Sequence, residues 1–416
     1  MINIVKGTKD ILPPEVYKWQ YVEEKFRKTA QSYGFREIRT PMIEHTELFK
    51  RGIGDTTDVV NKEMYTFEIA ERSLSIKPEG TASVVRSFIE NKLYADIVPA
   101  KFYYVTPCYR YEKMQKGRQR EFHQFGIEVF GSEKMSADAE VIFLADNYFK
   151  DLGIDKDIQL RINSIGCTEC RTKYRNALKD YFRPHYDELC DTCKERFEKN
   201  PLRLLDCKNP ECKKIAAGAP SILDHLCEGC RNDFDELKKD LDKLGVEYIV
   251  DPGIVRGLDY YNKTAFEFVT DKLGAQGTVC GGGRYDGLVS QLGGPETAAV
   301  GFGLGIERLL LLLDEEGIEI PEAKVCDIFI AAMGENAKFK AFELSKELRC
   351  EGFDVIIDVC ERSLKAQLKY ADRLGARYCA VIGENELEKG VAALRDMNNS
   401  TQEDVEFKNI KKVIGK

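Results

Sequence analysis

Between Tyr17 and Tyr33 apolar residues recur at helical spacing, and Gly34-Phe35 then leads into Arg36-Glu37-Ile38-Arg39-Thr40-Pro41, which reads as a strand stopped by proline. From there to about residue 130 strand signals dominate, clearest in Lys101-Phe102-Tyr103-Tyr104-Val105 and in Gln124-Phe125-Gly126-Ile127-Glu128-Val129-Phe130. Few helix-length patterns intervene, so an antiparallel sheet is the simplest arrangement. After Ile165 helical charge patterning takes over until about Leu244, and strand character returns with Ala265-Phe266-Glu267-Phe268-Val269. A strand-to-helix transition runs from Ala299 through Gly305 to Leu313, so the middle stretch reads as an insertion into a sheet that resumes after it. Past a polar hinge at Asp314 to Lys324, strand-like runs at 327–332, 353–359 and 378–383 alternate with two helical ones, which predicts a small α/β domain. The expected fold class is α+β. Its parts are 1–165 and 246–324 for the two halves of a core, 166–245 for a helical insertion and 325–416 for the closing domain.

With 416 residues, 43% apolar and 32% charged, the chain has room for two or three packed domains. The amino terminus lacks an apolar stretch of signal-peptide length and the longest aliphatic run is Leu309 to Leu313, so the expectation is a cytoplasmic protein with no membrane span. Fourteen cysteines without an export signal argue for reduced thiols or metal ligands over a disulfide framework. Eight of them fall within 64 residues, where uniform spacing would put about two. Their spacings, Cys167-x2-Cys170, Cys190-x2-Cys193, Cys207-x4-Cys212 and Cys227-x2-Cys230, suit one or two structural Zn²⁺ sites of four thiolates. Spacing does not decide which pairs combine.

The net charge of −8 confines any polyanion contact to local patches. Cys108 to Gly126 is one, with Arg110, Lys113, Lys116, Arg118 and Arg120 against Glu112 and Glu121. No G-x-x-x-x-G-K-[ST] stretch exists, which excludes the usual phosphate loop. Gly301-Phe302-Gly303-Leu304-Gly305 places Ile306 where a dinucleotide fingerprint needs its third glycine, and Lys134-Met135-Ser136 has no H-x-G-H partner. Arginines on a sheet are another way to hold a polyphosphate, because they supply cations where charge builds at a reacting phosphorus. Arg110, in Tyr109-Arg110-Tyr111-Glu112, and Arg308, at the start of the helix after the glycine run, fit that role.

In this order the segments resemble a known family. The helix-strand-Pro41 unit, Arg110 to Gly126 and Gly301 to Leu309 look like motifs 1, 2 and 3 of class II aminoacyl-tRNA synthetases. Arg256-Gly257-Leu258-Asp259-Tyr260-Tyr261 and Gly282-Gly283-Arg284-Tyr285-Asp286-Gly287-Leu288 resemble the two signatures of the histidyl-tRNA synthetase family. Lys6 to Asp10, Pro78 to Thr81 and Lys116 to Arg118 extend the resemblance over essentially the whole chain.

The resemblance implies ATP with Mg²⁺, L-histidine and tRNA(His) as partners, and a symmetric homodimer built around the motif 1 helix and strand. It implies that Arg110 and Arg256 flank the α-phosphate, Arg256 standing in for an additional magnesium ion, and that Arg118 and Arg308 hold the β,γ end. Phe122 and Arg308 would sandwich adenine, with Glu112 accepting from its amino group. Glu79, Thr81 and Gln124 would receive the α-ammonium, and Arg256, Tyr260 and Tyr285 would also face the amino acid. Glu128 and Tyr261 would bracket the imidazole, since a carboxylate and a phenol satisfy one donor and one acceptor together.

Arg362, Lys365, Lys369 and Arg373 line one face of a helix expected over Ser363 to Leu374, opposite Leu364, Leu368, Ala371 and Leu374. Fifteen basic and sixteen acidic residues from Cys326 onward leave that stripe undecided by charge alone, and the resemblance makes it part of an anticodon-binding module. Lys113 and Gln115 would read the acceptor end, although Lys113-Met114 departs from the family's usual arginine and proline. A rival reading is the synthetase-like regulatory subunit of ATP phosphoribosyltransferase, which binds histidine without charging tRNA. A second is a class II synthetase for another amino acid.

Overall fold

Along the strand Glu121–Phe130 the side chains split by parity. Phe125, Ile127 and Val129 are fully buried on one face, while Phe122, Gln124, Gly126 and Glu128 share the other. In this computed structural model, which describes every residue except 1, 55, 56, 58, 206, 208, 255, 256, 275, 276, 323–325 and 416, that division organises the larger of two compact units, Met1–Ile320 and Pro321–Lys416.

The first unit is built on an eight-stranded sheet. In spatial order its strands are Arg36–Glu37, Ala100–Tyr109, Glu121–Phe130, Ala299–Gly305, Thr278–Arg284, Asn262–Val269, Gln159–Ser164 and Ile249–Val250. All neighbours pair antiparallel except the two edge pairs, which are parallel. The apolar face is covered by the helices Pro13–Ser32, Met135–Leu152 and Ile306–Glu315. Phe26 stacks on Phe125 with ring centroids 4.4 Å apart, and Tyr148 meets both edge-on. Pro13 and Pro14 open the first helix where a missing N–H is harmless, and Gly34, at φ +80°, lets the chain turn out of it.

The strand expected over Arg36 to Pro41 is only Arg36–Glu37, paired with Phe102 and Tyr103. A second sheet of Ile43–His45, Arg72–Ile76 and Tyr65–Ile69 follows it, and its hairpin turns on Ala70 and Glu71 at φ 47° and 60°. Neither turn residue is one that sequence punctuation would flag. The insertion is helical, with the helices Thr168–Phe182, Asp191–Lys199, Pro210–Ala216 and Glu228–Leu244.

The second unit has five strands in the order Val355–Ile357, Ile328–Ala332, Tyr378–Ile382, Val391–Asp396 and Thr401–Glu406. The first three are parallel and the last two antiparallel. The sequence reading found the parallel three with the helices Glu335–Cys350 and Leu364–Arg373 between them. It missed the final pair because Thr401–Glu406 is an edge strand that buries only Val405 and carries no apolar alternation. Among the described residues no helix is long and apolar enough to cross a membrane.

Candidate functional site

The polar face of the large sheet is bared by glycine. Gly126 registers with Gly303, Gly303 with Gly281, and two residues along the next row Glu128 registers with Gly301 and Gly301 with Gly283. With no side chain on Gly281, Gly303 or Gly305, a cavity of about 480 Å³ opens above the sheet. Its walls include Glu79, Thr81, Arg110, Glu112, Arg118, Phe122, Gln124, Tyr260, Tyr261 and Arg308, so ten of the residues singled out from sequence converge on one space. Arg256, the remaining cation of that set, lies outside the described residues.

One end of the cavity is cationic. Arg308 packs into the wall with its guanidinium on the Thr278 carbonyl, and its pKa is held down to about 10, chiefly by burial and then by the like charge of Arg118. Arg118 pairs with Glu112 at 2.8 Å. Arg110 donates through Nε to the Pro78 carbonyl at 2.9 Å and lies over the Phe122 ring at 5.3 Å. Crowded guanidinium groups at reduced hydration are the signature of a polyanion site, since a bound phosphate relieves the repulsion they hold apart. Glu112 and Glu267 add carboxylate oxygens to the same walls, Glu267 taking the Thr278 hydroxyl at 2.9 Å. Such hard oxygen donors beside cations suit Mg²⁺ carried by a nucleotide.

The other end is phenolic and acidic. Glu79 is buried and accepts from Thr81 N at 2.7 Å and Ala82 N at 2.8 Å, capping the helix Thr81–Glu90. Burial raises its pKa and those two N–H groups oppose the rise. Gln124 Oε1 takes the Gly80 N–H at 3.3 Å. Tyr260, Tyr261 and Tyr285 meet with centroids 4.6 to 6.4 Å apart.

Glu128 is fully buried but does not line the cavity. Its carboxylate accepts from two phenols, Tyr104 at 3.1 Å and Tyr285, while Tyr261, expected with it at the imidazole, lines the cavity. Burial pushes the Glu128 carboxyl up to about 8, against the pull of the Tyr285 hydrogen bond. Tyr104 does line the cavity, and sequence reading missed it because a tyrosine in Lys101 to Val105 looks like any core aromatic. Its signal lay elsewhere: a Cβ at Gly80 or at Gly126 would run into its ring.

Three further residues were missed. Arg284, read as part of a site-forming signature, is wholly buried and pins it: it binds Asp138, Asp286 at 3.1 Å and the Ser132 carbonyl at 2.8 Å, and so fixes Tyr285 beneath Glu128. Glu307 accepts from the His123 backbone at 2.9 Å and its ring at 2.9 Å, tying the arginine-bearing helix to the central strand. Glu267 was read only as a strand residue.

Lys113 and Gln115 are exposed on the loop between the two longest strands, closed by Arg118 N–H to the Gln115 carbonyl at 2.9 Å. The cysteines sort into two foursomes, Cys167, Cys170, Cys227 and Cys230 in one and Cys190, Cys193, Cys207 and Cys212 in the other. In the second unit, Lys365, Lys369 and Arg373 are exposed on the expected helix face. Arg362 is not free with them, because Asp358 holds it at 2.6 Å and it lies over the Tyr370 ring at 4.4 Å.

Comparison with known proteins agrees with these features. A family model for histidyl-tRNA synthetase matches residues 7–309, and one for an anticodon-binding domain matches 327–416. The chain is 58% identical to a histidine–tRNA ligase of Clostridium perfringens over 406 residues, 97% of each chain. It is 56% identical to one of Caldanaerobacter subterraneus over 410 residues, 98% of each chain. A solved apo histidyl-tRNA synthetase of S. aureus aligns over the full length of both chains with a TM-score of 0.85 at 40% identity.

Proposed function

The chain belongs to the histidyl-tRNA synthetase family, and from that premise we propose that the glycine-floored cavity joins L-histidine to ATP and then to tRNA(His). It is a class II aminoacyl-tRNA synthetase. The observation that carries the assignment of roles is the polarity of the cavity, cationic at Arg110, Arg118 and Arg308 and phenolic and acidic at Glu79, Tyr104 and Tyr261.

With the triphosphate along the arginines, Arg110 and Arg256 face the α-phosphate. The histidine carboxylate attacks that phosphorus, the bond to the β-phosphate oxygen breaks, and pyrophosphate leaves towards Arg118 and Arg308. Preorganised cations stabilise charge that peaks between reactants and products, so no protein nucleophile is required. Mg²⁺ carried with the nucleotide would supply further charge neutralisation, with Glu267 as the carboxylate to hold it. Adenine packs between Phe122 and Arg308, with Glu112 accepting from its amino group. The 3′-terminal ribose hydroxyl of tRNA(His) then attacks the adenylate carbonyl and AMP departs.

Glu79, Thr81 and Gln124 receive the α-ammonium. The imidazole is read on one edge by the chain Tyr104–Glu128–Tyr285 and on the other by Tyr261, against the ring of Tyr260. Where Glu128 is ionised, Tyr104 donates its proton to it and is left with an acceptor oxygen for the ligand. Lys113 and Gln115 contact the acceptor end, and Lys365, Lys369 and Arg373, with Arg362 behind them, contact the anticodon end. We place the enzyme in the cytoplasm as a homodimer, which a monomer by sedimentation at micromolar concentration would contradict.

Three cavity arginines together with an anticodon-binding unit set aside the regulatory-subunit reading. ATP–pyrophosphate exchange measured with each amino acid in turn tests the assignment: exchange with histidine alone is expected, and its absence overturns the proposal.

A further inference from the structure

We propose that the helical insertion carries two structural zinc ions in separate tetrathiolate sites. One, at its root, is formed by Cys167, Cys170, Cys227 and Cys230, and the other, in its middle, by Cys190, Cys193, Cys207 and Cys212. The inference is independent of the ligase reading.

Local structure brings the thiols together. Cys167, Cys190 and Cys227 are each the residue before a helix, and Cys170, Cys193 and Cys230 fall in the first turn of the same helices. That geometry aims two sulfurs from one helix start at one point, where the unpaired N–H groups of the first turn favour a thiolate. The root site joins two such starts across the 57 positions from Cys170 to Cys227. The middle site joins one such start to Cys207 and to Cys212, which lies in the helix Pro210–Ala216.

Distances choose between a disulfide, loose thiols and a metal. A disulfide needs about 2.05 Å between sulfurs. Sulfurs at the corners of a tetrahedron with Zn–S near 2.3 Å stand about 3.8 Å apart. Here Cys167 and Cys170 are 3.6 Å apart, Cys167 and Cys227 4.0 Å, and Cys190 and Cys207 3.9 Å. Within each foursome all sulfurs lie within 4.8 Å of one another. That compactness fits one ion per site, and an all-sulfur donor set selects Zn²⁺ over hard cations such as Mg²⁺ or Ca²⁺.

Supporting contacts are present in both. The Cys227 N–H donates to Cys170 Sγ at 3.0 Å and the Cys190 N–H to Cys212 Sγ at 3.3 Å, the backbone bonds that orient thiolate ligands. The cluster around them is thin, with Tyr174, Leu178, Phe182, Leu189, Phe197 and Leu204 among its few large buried side chains. An insertion with so small a core gains its rigidity from staples. Each Zn²⁺ displaces the protons of four thiols, so folding of the insertion is linked to metal and pH. The root site also fixes the start of the helix that carries Arg171, whose guanidinium holds the Tyr261 carbonyl at 3.1 Å.

The test uses the full chain, expressed with zinc available and purified without chelator. Elemental analysis is expected to give two zinc per chain, falling to one in Cys227→Ser/Cys230→Ser and to one in Cys207→Ser/Cys212→Ser. Because either variant can fail to fold, the parent is also titrated with an organomercurial in the presence of a metallochromic dye, where each zinc released should consume four thiols. No zinc, one zinc, iron in its place, or release without that stoichiometry overturns the proposal.

Discussion

Replacing Tyr285 by phenylalanine removes one oxygen, leaves the ring in its packing against Phe130, Tyr260 and Tyr261, and takes from Glu128 the nearer of its two phenol donors. That hydrogen bond lowers the Glu128 pKa, so its loss raises it. The carboxyl already stands at about 8 through burial. A hydrogen bond to a charged acceptor is worth about 1.5–3 kcal/mol, so its loss disfavours the ionised Glu128 by roughly 10- to 100-fold. At pH 7, below the raised pKa, the ionised fraction then falls by about that factor. A protonated Glu128 donates to Tyr104 instead of accepting from it, and Tyr104 no longer presents a lone pair to the imidazole N–H. The histidine KM in pyrophosphate exchange at saturating ATP is therefore expected to rise roughly 10- to 100-fold at pH 7, and the ratio to the parent enzyme to shrink towards pH 9.

Stability follows the same sign. A carboxyl whose folded pKa is raised favours the folded state below the unfolded value near 4.5 and loses that contribution as pH climbs through about 8. The melting-temperature gap between the variant and the parent should thus be small at pH 6 and widen above pH 8. A KM ratio that stays constant from pH 6.5 to 9, or a KM within twofold of the parent at pH 7, would refute the reasoning.

Arg308→Lys keeps a charge but loses the fork that reaches the Thr278 carbonyl and that we propose holds the polyphosphate, and exchange should drop about 100-fold, some 3 kcal/mol, with the fold unchanged by circular dichroism. Glu307→Gln loosens His123, whose pKa the native pair raises despite burial; its thermal penalty, about 1–2 kcal/mol, should be larger at pH 6 than at pH 9 because the pair's contribution fades as pH rises through the folded His123 value. Lys365→Glu/Lys369→Glu should raise the tRNA KM in aminoacylation by tenfold or more while leaving histidine-dependent exchange untouched, and a matching loss in exchange would move those lysines out of the tRNA contact.

Periodicity made the long helices and the central strands legible, because Phe26 or Ile127 is apolar for reasons contained in its own segment. What stayed hidden depends on register between segments far apart. Arg284 meets Asp138 across 146 positions and Tyr285 meets Glu128 across 157, so nothing near either residue announces that one is a structural pin and the other a hydrogen-bond donor to a buried acid. The cysteine pairing was open for the same reason: Cys170 and Cys227 become neighbours only after four helices have packed. The glycines of Gly301 to Gly305 show how a pattern can fail under one template and carry information under another. As a nucleotide loop their spacing is wrong, yet a period of two is the period of a strand, and it leaves one face of the strand bare from Gly301 to Gly305. Gly281 and Gly283 repeat the period on the adjoining strand, in register with Gly303 and Gly301. The alternation states, before any fold is known, that two strands must carry something against their bare face. In the structure that face is the floor of the cavity where Gln124, Tyr104 and the arginines converge.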